Sequence, residues 1–255
     1  MSTHYESLPS ALLYPDAFHV AAPAFAVGRE LWPRQPGVFV RVGPAPVTEE
    51  ANAVEAVDTI DAPAQVKQAL EADESLDADK LPRAPPTREL VTGQFGLVPR
   101  WVKSASDAKL RSTKLVNARS ETVTTSNNFR DAWLAGQRCI VPMQAFMEDD
   151  WRSGKAVTTR IARVDGKPMG VAGLWESWTG ADGQVITSYA LLTVNANNHA
   201  LMSRYQQPGN EKRMLTILSE GAYDAWLSAR PEKAREFMRA YPANWLLANP
   251  VQKSR

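Results

Sequence analysis

Three kinds of group in this chain could do chemistry: an amide that both donates and accepts, a carboxylate closing an apolar run, and several guanidiniums. Asn117 opens the segment Asn117-Ala118-Arg119-Ser120-Glu121. Its carbonyl accepts and its amide donates, so at a strand end it can hold a small polar group in one orientation. The plainer use of such a residue is to satisfy a turn backbone. Glu148 follows the apolar stretch Val141 to Met147, where partial desolvation favours the protonated acid and suits acid-base work. Asp149 and Asp150 come next; their charge would reinforce that effect at close range and would also repel phosphate, and a solvated acidic turn is the competing reading. Arg100 and Trp101 put a cation beside a large ring, a pairing that can hold a phosphate and stack on a displaced base. Taken singly, each of these residue types serves more often as a surface ion pair or as rim packing.

The elements that must position these groups read as strands interrupted by scattered helices. Pro9, Pro15, Pro23, Pro33 and Pro36 break any long helix in the first forty residues, leaving an extended wrapping arm. Val38–Val42 and Leu90–Val98 are β-branched or apolar runs ended by turn residues, and Cys139–Pro142, Ala145–Glu148, Val157–Val164, Met169–Trp175 and Ser188–Val194 read likewise. Asp165-Gly166 and Asp182-Gly183 are hairpin signals. Short helices are expected over Thr125–Leu134, with Ser126 or Asn127 as cap, over Gly221–Leu227, and over Pro231–Met238, where Pro opens the first turn. Without a regular βαβ alternation this is an α+β protein: a mixed, largely antiparallel sheet or barrel-like core surrounded by short helices. The expectation is one domain over 1–245, with an acidic Ala- and Pro-rich insertion at about 44–90, a short surface helix near Pro63–Glu71, and a loose tail over 246–255.

Composition narrows the function classes. A chain of 255 residues, 44% hydrophobic, can bury a real core, and no run approaches the ~18–20 apolar residues of a membrane span. A signal-peptide pattern is absent too, so a soluble, cytoplasmic, non-membrane protein is expected. Cys139 is the sole cysteine, inside an apolar run, and reads as a buried, inert thiol; His4, His19 and His199 show no ligand spacing with it. Neither a metal nor a cofactor is expected. Net charge is +1, but residues 44–90 hold eleven acids and four bases, which is −7 and leaves +8 for the remainder. A basic body with an acidic excursion fits a nucleic-acid binder, although such asymmetry also occurs on ordinary surfaces. Trp175, Trp178, Trp226 and Trp245 read as core or rim packing.

Several separated segments recur in a fixed order around Asn117: Gly96-Leu97-Val98-Pro99-Arg100-Trp101 before it, then Phe129-Arg130-Asp131-Ala132-Trp133, Arg138-Cys139-Ile140-Val141-Pro142, Ala145-Phe146-Met147-Glu148 and Gly173-Leu174-Trp175-Glu176. In that order they resemble the SOS response-associated peptidase (SRAP) family, which senses abasic sites in single-stranded DNA. The resemblance implies that Asn117 lines a reaction site close to the N-terminus and that Glu148 is its acid-base residue. It also implies that Arg119, Arg130 and Arg213 contact the DNA backbone or surround the site, with Arg100 and Trp101 beside them.

Two positions depart from the family pattern. Ser2 stands where the family carries its nucleophilic cysteine, and Gln206, within Tyr205–Met214, stands where related sequences carry a histidine. An α-amine exposed by loss of Met1 could still form an imine with the aldehyde of an abasic site, since its pKa of ~7.7–8.0 leaves it partly unprotonated near neutrality. The serine hydroxyl is a far weaker nucleophile than a thiolate, so a stable crosslink is not expected. The reading is therefore single-stranded-DNA binding and abasic-site recognition, by a chain expected to be a monomer, with Ser2, Asn117, Glu148 and Gln206 converging at the base of one positively lined cleft. The alternatives are an N-terminal-nucleophile hydrolase or autopeptidase using Ser2, and a phage-related protein retaining only the fold.

Overall fold

A computed structural model describes residues 4–44 and 86–251; Ser2 and the helix expected near Pro63–Glu71 lie outside them. The chain divides into two compact units, 1–43 together with 88–255, and 44–87, and only the first falls mainly within the described residues.

That first unit is built on two sheets. The smaller has the order β13 (Leu246–Pro250), β8 (Val157–Arg163), β7 (Ala145–Asp150), β1 (Tyr5–Glu6) and β2 (Glu30–Leu31). The larger contains β3 (Pro36–Val42), β4 (Arg88–Phe95), β5 (Asn117–Arg119), β6 (Arg138–Met143), β9 (Met169–Thr179), β10 (Val185–Asn195), β11 (Arg213–Leu215) and β12 (Ile217–Leu218). β10 pairs antiparallel with β9 and parallel with β4, and β4 continues through β3 and β6 back to β9. Five strands thus close on themselves as a barrel-like ring, which removes their free edges. Around the sheets lie the short helices α1 (Leu13–Phe18), α2 (Ala105–Ser112), α3 (Arg130–Leu134), α4 (Tyr223–Ser228) and α5 (Pro231–Ala234). The α+β architecture expected from the sequence is the one observed.

Of the ring strands, β6 and β10 carry apolar residues on both faces because each face has its own partner. Cys139, Val141, Tyr189 and Leu191 join Tyr5, Phe146 and Ile161 of the smaller sheet in one core. Their neighbours Ile140, Ala190 and Leu192 turn the other way and meet Phe18, Trp133, Tyr223 and Trp226 under the helices. This is the period-2 alternation of a strand, with two burial surfaces where a solvated sheet has one. Cys139 is fully buried, and burial pushes its thiol pKa up, as expected of an inert residue.

The structure corrects four local expectations. Residues 246–250 are not tail but β13, paired antiparallel with β8 from Leu246↔Arg163 to Pro250↔Thr159; proline is tolerated there because this is an edge strand. Asp165-Gly166 turns the chain, with Gly166 at φ +72°, yet makes no hairpin, since β8 is already flanked by β7 and β13 while β9 enters the larger sheet. Asp182-Gly183 does connect the paired β9 and β10. Strand β4 ends at Phe95, so Arg100 and Trp101 occupy a turn and do not close a strand. The helix expected from Thr125 begins only at Arg130, and neither Ser126 nor Asn127 caps it.

Candidate functional site

Strand β10 is the ruler of the site. β5 runs parallel to it, with Leu191↔Asn117, Leu192↔Ala118 and Thr193↔Arg119 in register. Alternation buries Ala118 fully and puts Asn117 and Arg119 on the opposite face. On the other flank β11 runs antiparallel, placing Arg213 opposite Asn195. Arg119 and Arg213 therefore reach one place from strands on either side of β10.

The acid arrives from the smaller sheet. Glu148 lies in β7 and is 5% exposed, and Tyr5 of β1 pairs with Phe146 of the same strand. Beyond the short helical turn Met202–Arg204, the chain runs alongside the end of β7: Tyr205 bridges Asp150 and the Gln206 N–H donates to the Asp149 carbonyl at 2.8 Å. This delivers Gln206, 7% exposed, to Glu148. Its Nε2 donates to Glu148 Oε1 at 3.3 Å and to the Arg213 carbonyl at 2.7 Å.

These elements enclose a cleft of about 510 Å³ whose lining includes Glu148, Gln206, Arg119 and Arg213, together with His4, Asp149 and Glu211. Four of the sequence-selected residues are thus brought together. Asn117 shares its strand face with Arg119 and is not among the described lining residues of the cleft. Arg100, Trp101 and Arg130 are elsewhere. Arg100 is committed to Glu176, donating from Nε at 3.1 Å and from Nη2 at 3.0 Å, and that carboxylate raises its pKa. Trp101 is 40% exposed, but its Nε1 donates to the Asn127 carbonyl at 2.9 Å and the Arg111 guanidinium lies 4.7 Å from its ring centre. Arg130 is exposed at the start of α3.

The expected positive lining is not what forms. Among the described lining residues, two guanidiniums face the carboxylates of Glu148, Asp149 and Glu211. Both guanidiniums are already paired. Arg213, 1% exposed, donates to both oxygens of Glu121, at 3.0 Å and 2.8 Å, and to Glu211 Oε1 at 3.0 Å; Arg119 Nη1 meets Glu211 Oε2 at 3.0 Å. Hydrogen bonds from Asn195 and Arg213 lower the Glu211 pKa. Burial is the largest single influence on Glu121 and opposes its ionisation, yet the Arg213 bonds, the backbone N–H donors and the Arg213 charge together outweigh it, and its pKa is lowered too. A buried arginine needs such partners, because an unpaired guanidinium taken out of water is severely penalised.

His4, Asp149 and Glu211 were missed as lining residues. In sequence His4 offers only a metal-ligand reading, whereas its position just before β1 carries it into the cleft. Its ring stacks on Trp32 with centroids 3.8 Å apart and 7° between planes, and burial lowers its pKa against the pull of Glu30, Asp149 and Glu6. Among the described residues no cluster of three or more His, Cys, Asp or Glu could hold a metal ion, and no helix is long and apolar enough to cross a membrane.

The chain is similar to several known proteins. The abasic site processing protein YoqW of Bacillus subtilis (strain 168) is 28% identical over 162 residues, covering 62% of this chain and 67% of its own. The abasic site processing protein HMCES of Gallus gallus is 24% identical over 184 residues, 64% of this chain and 53% of its own. A crystal structure of a protein from Bordetella bronchiseptica superposes with a TM-score of 0.77 at 35% identity, over 98% of this chain and 100% of that one. The family model for SOS response associated peptidase (SRAP) matches residues 42–254, and the chain belongs to that family.

Proposed function

We propose that this protein binds single-stranded DNA and recognises abasic sites in it, with the covalent linkage of its family weakened or lost. The observation that carries this reading is the meeting of buried Glu148 with Gln206 in a cleft that also holds Arg119 and Arg213; the names of the relatives support it. Arg119 and Arg213 serve as the phosphate contacts, since a planar guanidinium makes paired, charge-assisted bonds to phosphate oxygens. Glu148 serves as the proton carrier. If the Ser2 α-amine is exposed, its nitrogen adds to the aldehyde carbon while the carbonyl electron pair moves to oxygen and takes a proton from Glu148. The Glu148 carboxylate then takes one proton from nitrogen and returns it to the hydroxyl, which leaves as water as the protonated imine forms, and it finally recovers the second nitrogen proton. The Ser2 hydroxyl cannot supply the thiol that would lock the adduct.

Binding of fluorescent single-stranded DNA, with and without an abasic site, across a salt series tests the reading. Affinity should fall steeply with salt, and Arg119→Ala should lower the log-log slope by about 0.7. Arg100→Ala should leave it unchanged, because that guanidinium lies away from the cleft. Abasic DNA should give no heat-stable adduct, a borohydride-trapped adduct in the cleft, and a stable one after Ser2→Cys. Absence of binding at low salt, or hydrolysis of peptides that depends on Ser2 without DNA binding, would replace this reading with the peptidase one.

A further inference from the structure

We propose that Glu211 is a built-in counter-anion occupying the phosphate position of the Arg119–Arg213 pair, and that it must be displaced before a nucleic-acid phosphate can enter. The inference rests on the DNA-binding reading for its ligand. The carboxylate of Glu211 spans the two guanidiniums, with Oε2 3.0 Å from Arg119 Nη1 and Oε1 3.0 Å from Arg213 Nη1, and Asn195 Nδ2 adds a bond at 2.7 Å. Two cations and an amide converging on one anion from three strands is the donor set a phosphate oxygen cluster requires.

Two acids touch Arg213, and their settings differ. Glu121 meets Arg213 fork to fork and also accepts from the Asn195 N–H at 3.3 Å; it does not line the cleft. It is the structural partner, and it keeps buried Arg213 compensated when the other acid leaves. Glu211 lines the cleft and is the only one of the two bonded to Arg119, whose side chain is 49% exposed. It follows the turn Gln207–Asn210, where Gly209 has φ +83°, while the Lys212 N–H is tied to Asn197 Oδ1 at 2.7 Å. Rotation of the Glu211 side chain alone would free the site and leave that backbone tie in place. A gate of this kind sets a threshold: a lone phosphate competes poorly, whereas a strand held at several other points can displace the carboxylate.

The test uses inorganic phosphate and oligo(dT) on the full chain, wild type against Glu211→Gln. Phosphate should raise the melting temperature of Glu211→Gln and leave wild type unmoved. Oligo(dT) should bind Glu211→Gln roughly ten-fold more tightly at low salt, with a salt slope steeper by about 0.7. Asp16→Asn, an equal change of net charge on α1, should do neither. If Glu211→Gln melts far below wild type, Glu211→Asp serves, since the shorter carboxylate keeps the charge but cannot span both arginines; it should show the same gains to a smaller degree. Equal phosphate response in wild type and variant, or equal gains from Asp16→Asn, overturns the proposal. A phosphate response confined to Glu211→Gln without any oligo(dT) binding upholds the anion site and sinks the DNA reading instead.

Discussion

Gln206 clasps the peptide group of Arg213: its Nε2 donates to the Arg213 carbonyl at 2.7 Å while its Oε1 accepts from the Arg213 N–H at 3.1 Å. The side-chain amide stands in for a strand neighbour and fixes the end of β11. Because the same Nε2 also reaches Glu148, one residue ties the arginine strand to the carboxylate strand.

Gln206→Leu should accordingly destabilise the fold by about 1–3 kcal/mol, since it leaves a buried peptide group unsatisfied. Gln206→His introduces the residue type that the family resemblance implies at this place, but imidazole cannot reproduce the paired amide, so it too should lose stability. Urea unfolding of both variants measures this. An unchanged midpoint for either would mean the clasp is incidental.

A buried polar contact joins the two sheets: Tyr5 Oη lies 2.6 Å from Tyr189 Oη. Tyr5→Phe or Tyr189→Phe alone strands the surviving hydroxyl in a dry core and should cost about 1–2 kcal/mol. The double variant Tyr5→Phe/Tyr189→Phe strands nothing and should recover most of that loss, a sign of coupling that a thermodynamic cycle reads directly. Additive losses would place the energy in packing and not in the bond.

Much of the fold could be read from the chain because the strands announce themselves. β6 and the inner parts of β9 and β10 are nearly continuous apolar runs, and burial on both faces is what makes them so, whereas β8 alternates buried Thr159 and Ile161 with half-buried Thr158 and Arg160. The site was legible only where separated segments kept the family's order: Glu148, Gln206, Arg119 and Arg213 meet in the cleft. What local pattern cannot express is the partner of a charge. Nothing near Arg213 in sequence reveals that Glu121 lies across β10, or that Glu211 would turn back on Arg119, so a cleft expected to be positive sets three carboxylates against two guanidiniums among its described lining residues. The parallel pairing of β5 with β10 is equally invisible, and with it the reason Asn117 and Arg119 share a face. Leu246–Pro250 looked like tail because a lone edge strand ending in proline has no turn or hairpin signal to mark it.

The base of the 44–87 unit offers a clean excision. β3 and β4 remain in register to Val42↔Arg88, so their ends are neighbours and a two-residue Asn-Gly turn can close them. Replacing residues 43–87 by that turn should give a folded protein whose melting temperature is little changed. Removal of most of the acidic segment should leave binding of single-stranded DNA intact or tighter, by reducing long-range repulsion. Weaker binding by a well-folded deletion variant would show that the unit contributes contacts of its own.

His4 supplies the pH dependence. Its native pKa is lowered, chiefly by burial, so below the unfolded value of about 6.5 the unfolded chain binds more protons than the native one. Stability therefore rises with pH in this window: the neutral ring costs nothing above about pH 6.5, and the penalty grows as pH falls from there toward the lowered native value. The three carboxylates that act on His4, Glu30, Asp149 and Glu6, moderate the penalty without reversing it. Chemical unfolding at about pH 7.5 and pH 5.5 should show a smaller acid loss in His4→Gln than in wild type, because glutamine does not titrate there. If both lose stability equally, the imidazole is as protonated in the native state as in the unfolded chain, and its stack on Trp32 is no barrier to charge.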